Sequence, residues 1–173
     1  MKNNTNWSID TAHSEIAFKV KHMMISTVTG HFEDFQATAK TNGDVFNNAI
    51  LEFSAKTASI NTKNKDRDTH LKSDDFFNSE KFPEMTFVSK SFNGDTLVGD
   101  LTIRDVTKEI TLDAELNGIA VDPYGQTKAG FEMTGNINRK DFNLTWSAVT
   151  EAGSIVVSDK VKLVIDVQFI KQS

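Results

Sequence analysis

The sequence contains no cysteine and only 2 prolines and 9 glycines among its 173 residues. Without cysteine the chain forms no disulfides and no thiolate metal sites, and it has no cysteine nucleophile. Because no apolar run approaches the ~20 residues that a membrane helix needs, we predict no stable membrane insertion. The first residues, Met1–Asn6, are polar and lack the apolar segment of a secretory signal. They predict a cytoplasmic protein, with a periplasmic one as the alternative if a leader has been removed.

Positive charge is in the minority, with 19 Lys and Arg against 24 Asp and Glu, for a net charge of −5. This charge balance provides no broad basic field, so nucleic-acid binding is not predicted. The same balance still allows a local basic patch. No Gly-x-Ser-x-Gly elbow and no glycine-rich phosphate loop is present, so we predict no catalytic residue and no cofactor. A hydrophobic content of 38%, including 13 Phe, is enough for a core. The length predicts a single domain over residues 1–173.

The histidines do not form a metal-binding pattern. His13, His22 and His31 are evenly spaced at an odd interval, which places successive members on opposite faces of a strand. No His-Glu-x-x-His or other compact ligand pair is present, so no metal site is predicted. His22 differs from the others because it continues the apolar face that begins at Ile16. It is therefore a candidate polar group in the protein interior.

Alternation of apolar and polar residues with a period of two dominates the chain. It is clear over residues 16–24 and 106–116, and the turn pairs Asn42-Gly43, Asn93-Gly94 and Asn117-Gly118 separate such runs. The pattern predicts an all-β, extended antiparallel barrel of about eight strands, because closure removes the exposed edges of an open sheet.

One segment departs from the alternation. Residues 63–78 are rich in charge and contain residues that favour helix starts at Asn64 and Ser73. We predict one or two short helices there, which form a cap on the barrel. Periodicity does not show whether the barrel is solid or hollow. Because dense packing is the usual state of a protein interior, the residues alone favour a solid core.

Several motifs, in fixed order, resemble the YceI-like, polyisoprenoid-binding proteins over nearly the whole chain. They are Trp7-x-Ile9-Asp10-x-x-His13-Ser14-x-Ile16-x-Phe18-x-Val20-x-His22, Val28-x-Gly30-x-Phe32, Ser59-Ile60-Asn61-Thr62, Arg67-Asp68-x-His70-Leu71-x-Ser73-x-Asp75-Phe76-Phe77, Phe82-Pro83, Phe87-x-Ser89, Leu97-x-Gly99-x-Leu101-Thr102-Ile103, Lys108-x-Ile110-x-Leu112 and Arg139-Lys140-Asp141-Phe142-Asn143. In the last motif Asn143 replaces the family's glycine, and asparagine also tolerates the left-handed conformation. The resemblance implies a lipocalin-like barrel with a helical cap that holds a long apolar chain, and therefore a hollow interior.

Alternation and the family fold together assign the residues that bind this ligand. They are Phe18, Val20, His22, Phe32, Phe53, Phe87, Leu101, Ile103, Leu112, Phe131 and Met133. His22 and Arg67 are the candidate polar anchors. The alternative for Arg67 and Arg139 is a structural role, in which they pair with Asp68, Asp75 or Asp141.

We therefore predict a non-enzymatic protein that binds or transports an isoprenoid or fatty-acid-like ligand. One alternative is a lipid-processing enzyme that uses His22 as an acid or base. A second is a stress-associated structural protein whose interior holds adventitious lipid. A homodimer is compatible with the sequence, which does not determine the oligomeric state.

Overall fold

The computed structural model describes residues 4–148 and 156–172. Its elements are β1 (Asn4–Ile9), β2 (Glu15–His22), β3 (Ser26–Phe32), β4 (Phe35–Asn42), β5 (Val45–Lys56), β6 (Ile60–Asn61), α1 (Lys65–Lys72), β7 (Glu84–Phe92), β8 (Thr96–Ile103), β9 (Val106–Val121), β10 (Thr127–Asn138) and β11 (Val157–Lys171). Short 3-10 turns cover Thr11–His13, Thr57–Ser59 and Arg139–Phe142. The predicted all-β class with a short helix is confirmed.

Eight of the strands form a closed antiparallel barrel in the order β1-β4-β5-β7-β8-β9-β10-β11, and β11 pairs with β1 to complete it. The long strand β11 pairs with β1 over Phe169–Lys171 and with β2 over Val157–Asp166. Strands β2, β3 and β6 therefore extend the sheet from one side of β11. Closure leaves the barrel strands without free edges, which is the physical reason for predicting it.

The Asn-Gly pairs form turns at two of the three predicted positions. Gly43 and Gly94 have positive φ angles of 61° and 102° in the β4–β5 and β7–β8 turns. The prediction of a turn at Asn117-Gly118 is wrong, because this pair lies inside β9. There Gly118 faces Gly130 while Leu116 faces Phe131, so β9 contains one extra residue, a β-bulge. Glycine favours bulges as well as turns, and the sequence does not distinguish the two.

A single helix lies in the predicted cap segment. Asn64 caps the start of α1, and its Oδ1 atom accepts a hydrogen bond from the Arg67 N–H at 2.9 Å. Ser73 does not start a second helix but ends the first, donating its hydroxyl to the His70 carbonyl at 2.6 Å. A serine hydroxyl can accept from a backbone N–H at a helix start or donate to a carbonyl at a helix end, so the residue type alone does not decide between the two.

The two ends of the barrel differ. The cap end carries α1, the β2–β3 turn and the Arg139–Phe142 turn, whereas the opposite end carries the β9–β10 hairpin. Near the hairpin end, buried rings pack in tilted or edge-to-face pairs with centroid separations of 5.0 to 6.2 Å. We call this cluster the aromatic floor; it consists of Trp7, Phe46, Phe92, Phe131 and Phe169. The Trp7 indole N–H is satisfied by Thr41 Oγ1 at 2.8 Å.

Candidate ligand-binding cavity

A cavity of about 160 Å³ lies in the barrel between the cap and the aromatic floor. Roughly 10–15 Å³ of such space is enough for one water molecule. The lining side chains are aliphatic or aromatic, apart from Arg139. A wall of this composition gives water few hydrogen-bond partners, so the cavity suits a hydrocarbon chain.

Most of the predicted ligand-binding residues line this cavity. They are Phe18, Val20, Phe32, Phe53, Phe87, Leu101, Ile103, Leu112 and Met133. Their positions follow from the pleat, which directs every second side chain of a strand toward the interior. Contact of these residues with a ligand stays a prediction.

Two predicted positions are corrected by the structure. Phe131 is buried, but it belongs to the aromatic floor and lines a second, smaller cavity of about 20 Å³ near the hairpin end. His22 is exposed at the last position of β2 and is not part of the lining. The alternation extends to His22, but β2 runs beyond the enclosed space before it reaches this residue. The prediction that His22 faces the interior is therefore wrong.

Arg67 also lies away from the cavity lining. Its Nε atom donates to Thr62 Oγ1 at 2.8 Å and its Nη2 atom donates to the Thr62 carbonyl at 2.6 Å. Asp68, one of its proposed partners, instead accepts hydrogen bonds from Thr62, and Asp75 contacts His70. The structural role of Arg67 is supported, with different partners from those predicted, and its role as a polar anchor is corrected.

The cap closes one end of the cavity with residues that the alternation did not identify. Leu71 of α1 and the neighbouring Phe76 and Phe77 all line the cavity. The His70 ring packs edge-on against Phe76 and Trp146, with centroids 5.1 and 5.0 Å away. The Phe76-Phe77 pair within a charged segment is the signal in the sequence that this segment covers an apolar space.

Arg104 holds the cap on the barrel from the β8–β9 turn. Its Nη1 atom donates to the carbonyls of Asp74 and Phe76 at 2.9 and 2.8 Å. Its guanidinium also lies 5.3 Å from the centre of the Phe82 ring, which is a cation–π geometry. The position of Phe76 over the cavity is thus fixed by side chains outside it.

Arg139 is the polar exception in the cavity wall, and it is 3% exposed. Its Nη1 atom donates to the carbonyls of Leu144 and Trp146 at 2.6 and 2.7 Å. Its Nε and Nη2 atoms donate to the carbonyls of Ser158 and Val157 at 2.9 and 3.3 Å. The remaining Nη2 hydrogen is available to the Asp159 carboxylate, 3.6 Å away. Backbone carbonyls therefore engage four of the five N–H donors of this arginine, and the fifth lies on the side of the Asp159 carboxylate.

The burial of Arg139 affects its protonation equilibrium as well as its contacts. Desolvation lowers the pKa of the guanidinium from its usual value, and the Asp159 carboxylate opposes this effect. The group nevertheless stays charged at all ordinary pH values, because the usual pKa of arginine is far above neutrality. Arg139 therefore ties the 144–146 segment to the start of β11 as a permanent cation.

Gly30 on β3 gives space to an aromatic ring inside the barrel. It is the direct cross-strand partner of Phe18, whose ring covers it. A Cβ atom at Gly30 would lie 2.3 Å from the Cζ atom of Phe18, closer than non-bonded atoms can approach. The missing side chain therefore sets the position of the Phe18 ring at the cavity wall.

We expect the substitution Gly30→Ala to push the Phe18 ring into the cavity and to weaken the binding of any apolar ligand. Titration with a fluorescent fatty acid, supported by thermal unfolding to confirm the fold, measures the effect. Gly130→Ala is the matched control, because no atom lies within 4 Å of a Cβ built there. Equal affinities for the two variants would contradict the proposed packing.

Among residues 4–148 and 156–172, no three His, Asp or Glu side chains are grouped as a metal ion would require. Over the same residues, none of the helices has the length and apolar character that a membrane crossing needs.

Comparisons with known proteins agree with this architecture. A UPF0312 protein of Staphylococcus aureus is 39% identical over 168 residues, which cover 95% of this chain and 97% of that protein. The crystal structure of a Campylobacter jejuni YceI protein is 37% identical, with a TM-score of 0.75, and covers 88% of this chain and 90% of that one.

More distant structures share the fold. A polyisoprenoid-binding domain from Saccharophagus degradans, implicated in plant cell wall breakdown, has a TM-score of 0.69 at 16% identity and covers 96% of this chain and 98% of that one. The model of the YceI-like domain matches residues 7–169. With this match over most of its length and relatives of nearly equal size, the chain belongs to the YceI-like domain family.

Proposed function

We propose that this protein binds one long apolar chain of the isoprenoid class inside its barrel and carries it without changing it chemically. The observation that supports this proposal is the cavity wall, which is apolar apart from a guanidinium that gives four of its five N–H donors to backbone carbonyls. The polyisoprenoid-binding domain of S. degradans, which shares the fold, adds support for the ligand class.

Burial of hydrocarbon supplies the binding free energy in this proposal. Each CH₂ group contributes about 0.8 kcal/mol, so a chain of about ten carbons contributes on the order of 8 kcal/mol before costs. Association and ordering consume several kcal/mol of this. A longer chain that fills the barrel therefore binds in the micromolar range or tighter without a strong polar contact.

The proposed ligand has its polar end at the cap end of the barrel. The aromatic floor blocks the hairpin end with buried rings, among them Phe46 and Phe131. A head group left beside the apolar wall would lose its hydrogen bonds to water, at a cost of about 1–3 kcal/mol. The apolar tail therefore points toward the floor, and the head group lies at the cap end.

A lipid-processing enzyme is less well supported than a carrier. Acid–base chemistry needs a titratable group within hydrogen-bond reach of the substrate. Among the described residues that line the cavity, Arg139 carries the only ionisable side chain, and His22 lies outside. A structural protein with adventitious lipid differs from a carrier in selectivity, which can be measured.

The proposal is tested by adding geranylgeraniol or octadecanol to the purified protein and following each complex by native mass spectrometry. We expect one molecule of geranylgeraniol to bind, more tightly than octadecanol, and its mass to stay constant over time. Equal affinity for both would favour adventitious lipid. A change in the mass of the bound compound would favour an enzyme.

A cavity-filling variant shows where the ligand binds. Leu163 of β11 lines the cavity opposite Gly135, and Leu163→Trp should weaken geranylgeraniol binding at least tenfold by occupying the space. Thr134→Trp is the matched control, because Thr134 is exposed on the outer face of β10. If both variants bound as well as the wild type, the ligand would not be inside the barrel.

A further inference from the structure

Four lysines form a basic patch on the outer face of the barrel near the cap end. We define it as Lys19 and Lys21 of β2 with Lys160 and Lys162 of β11, all of which are exposed. Lys162 is the direct cross-strand partner of Lys19. Within the described part of the chain, none of the four has a carboxylate within ion-pair distance.

The strands on both sides of the basic patch do not compensate its charge. On β3, Thr29 faces Lys19 and Thr27 faces Lys21, whose Nζ atom donates to Thr27 Oγ1 at 3.0 Å. On β10, Lys162 and Lys160 face asparagines, Asn136 and Asn138. Like charges directly opposite each other destabilise a sheet. In a chain of net charge −5, this local concentration of positive charge indicates an anion outside the protein.

Bulky apolar side chains project from the turn that follows the basic patch. Met24 is 61% exposed and Ile25 is 80% exposed in the β2–β3 turn. Met23 and Met24 adopt left-handed φ angles of 52° and 60°, which are unusual for methionine. The Met23 N–H donates to the Val156 carbonyl at 2.8 Å, so the backbone of the turn is held against the start of β11. We call Met24 and Ile25 the apolar tip.

We propose that the basic patch and the apolar tip together dock this protein on the surface of an anionic phospholipid bilayer. The lysines would contact lipid phosphates, and the tip would enter the boundary between head groups and acyl chains. A nucleic acid could also attract the lysines, but it would give no comparable gain for Met24 and Ile25. A bilayer matches both features.

The position of this surface also suits the proposed function. Phe18 and Val20, on the inner face of the same strand as Lys19 and Lys21, line the cavity. A chain leaving the bilayer at the apolar tip would therefore be close to the cap end of the barrel. The passage of a lipid chain from the bilayer into the barrel depends on the proposed function, whereas the docking on the bilayer does not.

Vesicle co-flotation tests the docking without any ligand. We expect binding to phosphatidylcholine vesicles that contain phosphatidylglycerol and weak binding to phosphatidylcholine alone. Raising the salt from about 0.1 M to about 1 M shortens the screening length from about 10 Å to about 3 Å, so binding should fall steeply. Equal binding to both kinds of vesicle would overturn the proposal.

Charge variants locate the contact. Because each lysine near an anionic surface is worth about a fivefold change in affinity, Lys19→Gln with Lys162→Gln should weaken binding about 25-fold. The variant should fold normally, since it removes a like-charge pair. Lys40→Gln with Lys108→Gln changes the net charge equally at exposed lysines elsewhere on the barrel. Equal losses in the two double variants would overturn the assignment to the basic patch.

The apolar tip needs its own variant. Ile25→Asp should weaken binding to the anionic vesicles by at least tenfold, while Tyr124→Asp, at a residue that is 90% exposed in the opposite hairpin, should change it little. If Ile25→Asp had no effect beyond that of Tyr124→Asp, the tip would not enter the membrane. Tighter binding of a short DNA duplex than of vesicles at the same salt would assign the patch to nucleic acid and overturn the proposal.

Discussion

Replacing Arg139 by methionine is expected to lower the free energy of unfolding by about 3–5 kcal/mol, because hydrogen bonds from a charged donor contribute about 1.5–3 kcal/mol each. Methionine fills much of the same space but leaves the carbonyls of Leu144, Trp146 and Val157 without their donor. Urea unfolding followed by circular dichroism measures the loss. Arg139→Lys should be intermediate, since lysine keeps the charge but lacks the planar fork of donors.

Arg67→Met is the matched control for this prediction. Arg67 is half-buried, and among the described residues its side chain donates to one residue, Thr62. Its replacement should cost only about 1–2 kcal/mol, because it removes two side-chain hydrogen bonds instead of four and Thr62 Oγ1 keeps its hydrogen bond to Asp68. If both substitutions had the same cost, the buried network around Arg139 would not contribute the stability that its geometry indicates.

The barrel could be predicted from the sequence because burial alternates along its strands. In β8, every second residue from Leu97 to Ile103 is buried while the intervening residues are half-exposed. An alternation that regular specifies both the strand and the face that points inward. The predicted lining residues Leu101, Ile103 and Met133 are correctly placed at the cavity for this reason.

The limits of the cavity could not be predicted in the same way. Alternation gives the face of a side chain but not its height in the barrel, so the pattern predicts that His22 lies inside although it lies beyond the enclosed space. For the same reason the pattern assigns Phe131 to the main cavity instead of the floor. The bulge at Gly118 changes the register of β9 and leaves Leu116 36% exposed, which a regular pattern does not indicate.

The prediction of a hollow barrel rests on the family resemblance, because the periodicity of the residues alone favours a solid core. A space inside a barrel depends on strand tilt and on which side chains meet across the interior, neither of which a one-dimensional pattern contains. One detail of the family motif is confirmed by the backbone. Asn143, which replaces a glycine, has φ 61° and ψ 22° in the left-handed region, so the turn after Arg139–Phe142 is kept.

Phe131→Ala is expected to destabilise the protein by about 3–5 kcal/mol, the usual cost of truncating a buried aromatic residue. The Phe131 ring is 4% exposed and packs 5.0 Å from Phe46, as part of the floor. The main and smaller cavities share lining residues, including Met133 and Leu97. Removing the ring should therefore join the two spaces and lengthen the tube toward the hairpin end.

A longer tube should change which ligands bind. The wild type should prefer geranylgeraniol to a polyprenol with two further isoprene units, whereas Phe131→Ala should reduce or reverse this preference in the same native mass spectrometry assay. Glu132→Ala, at the neighbouring exposed residue, should alter neither stability nor chain-length preference, because its side chain points away from the barrel interior. Since a shift of one residue in register exchanges the two faces, equal effects at Phe131 and Glu132 would show that β10 is placed in the wrong register.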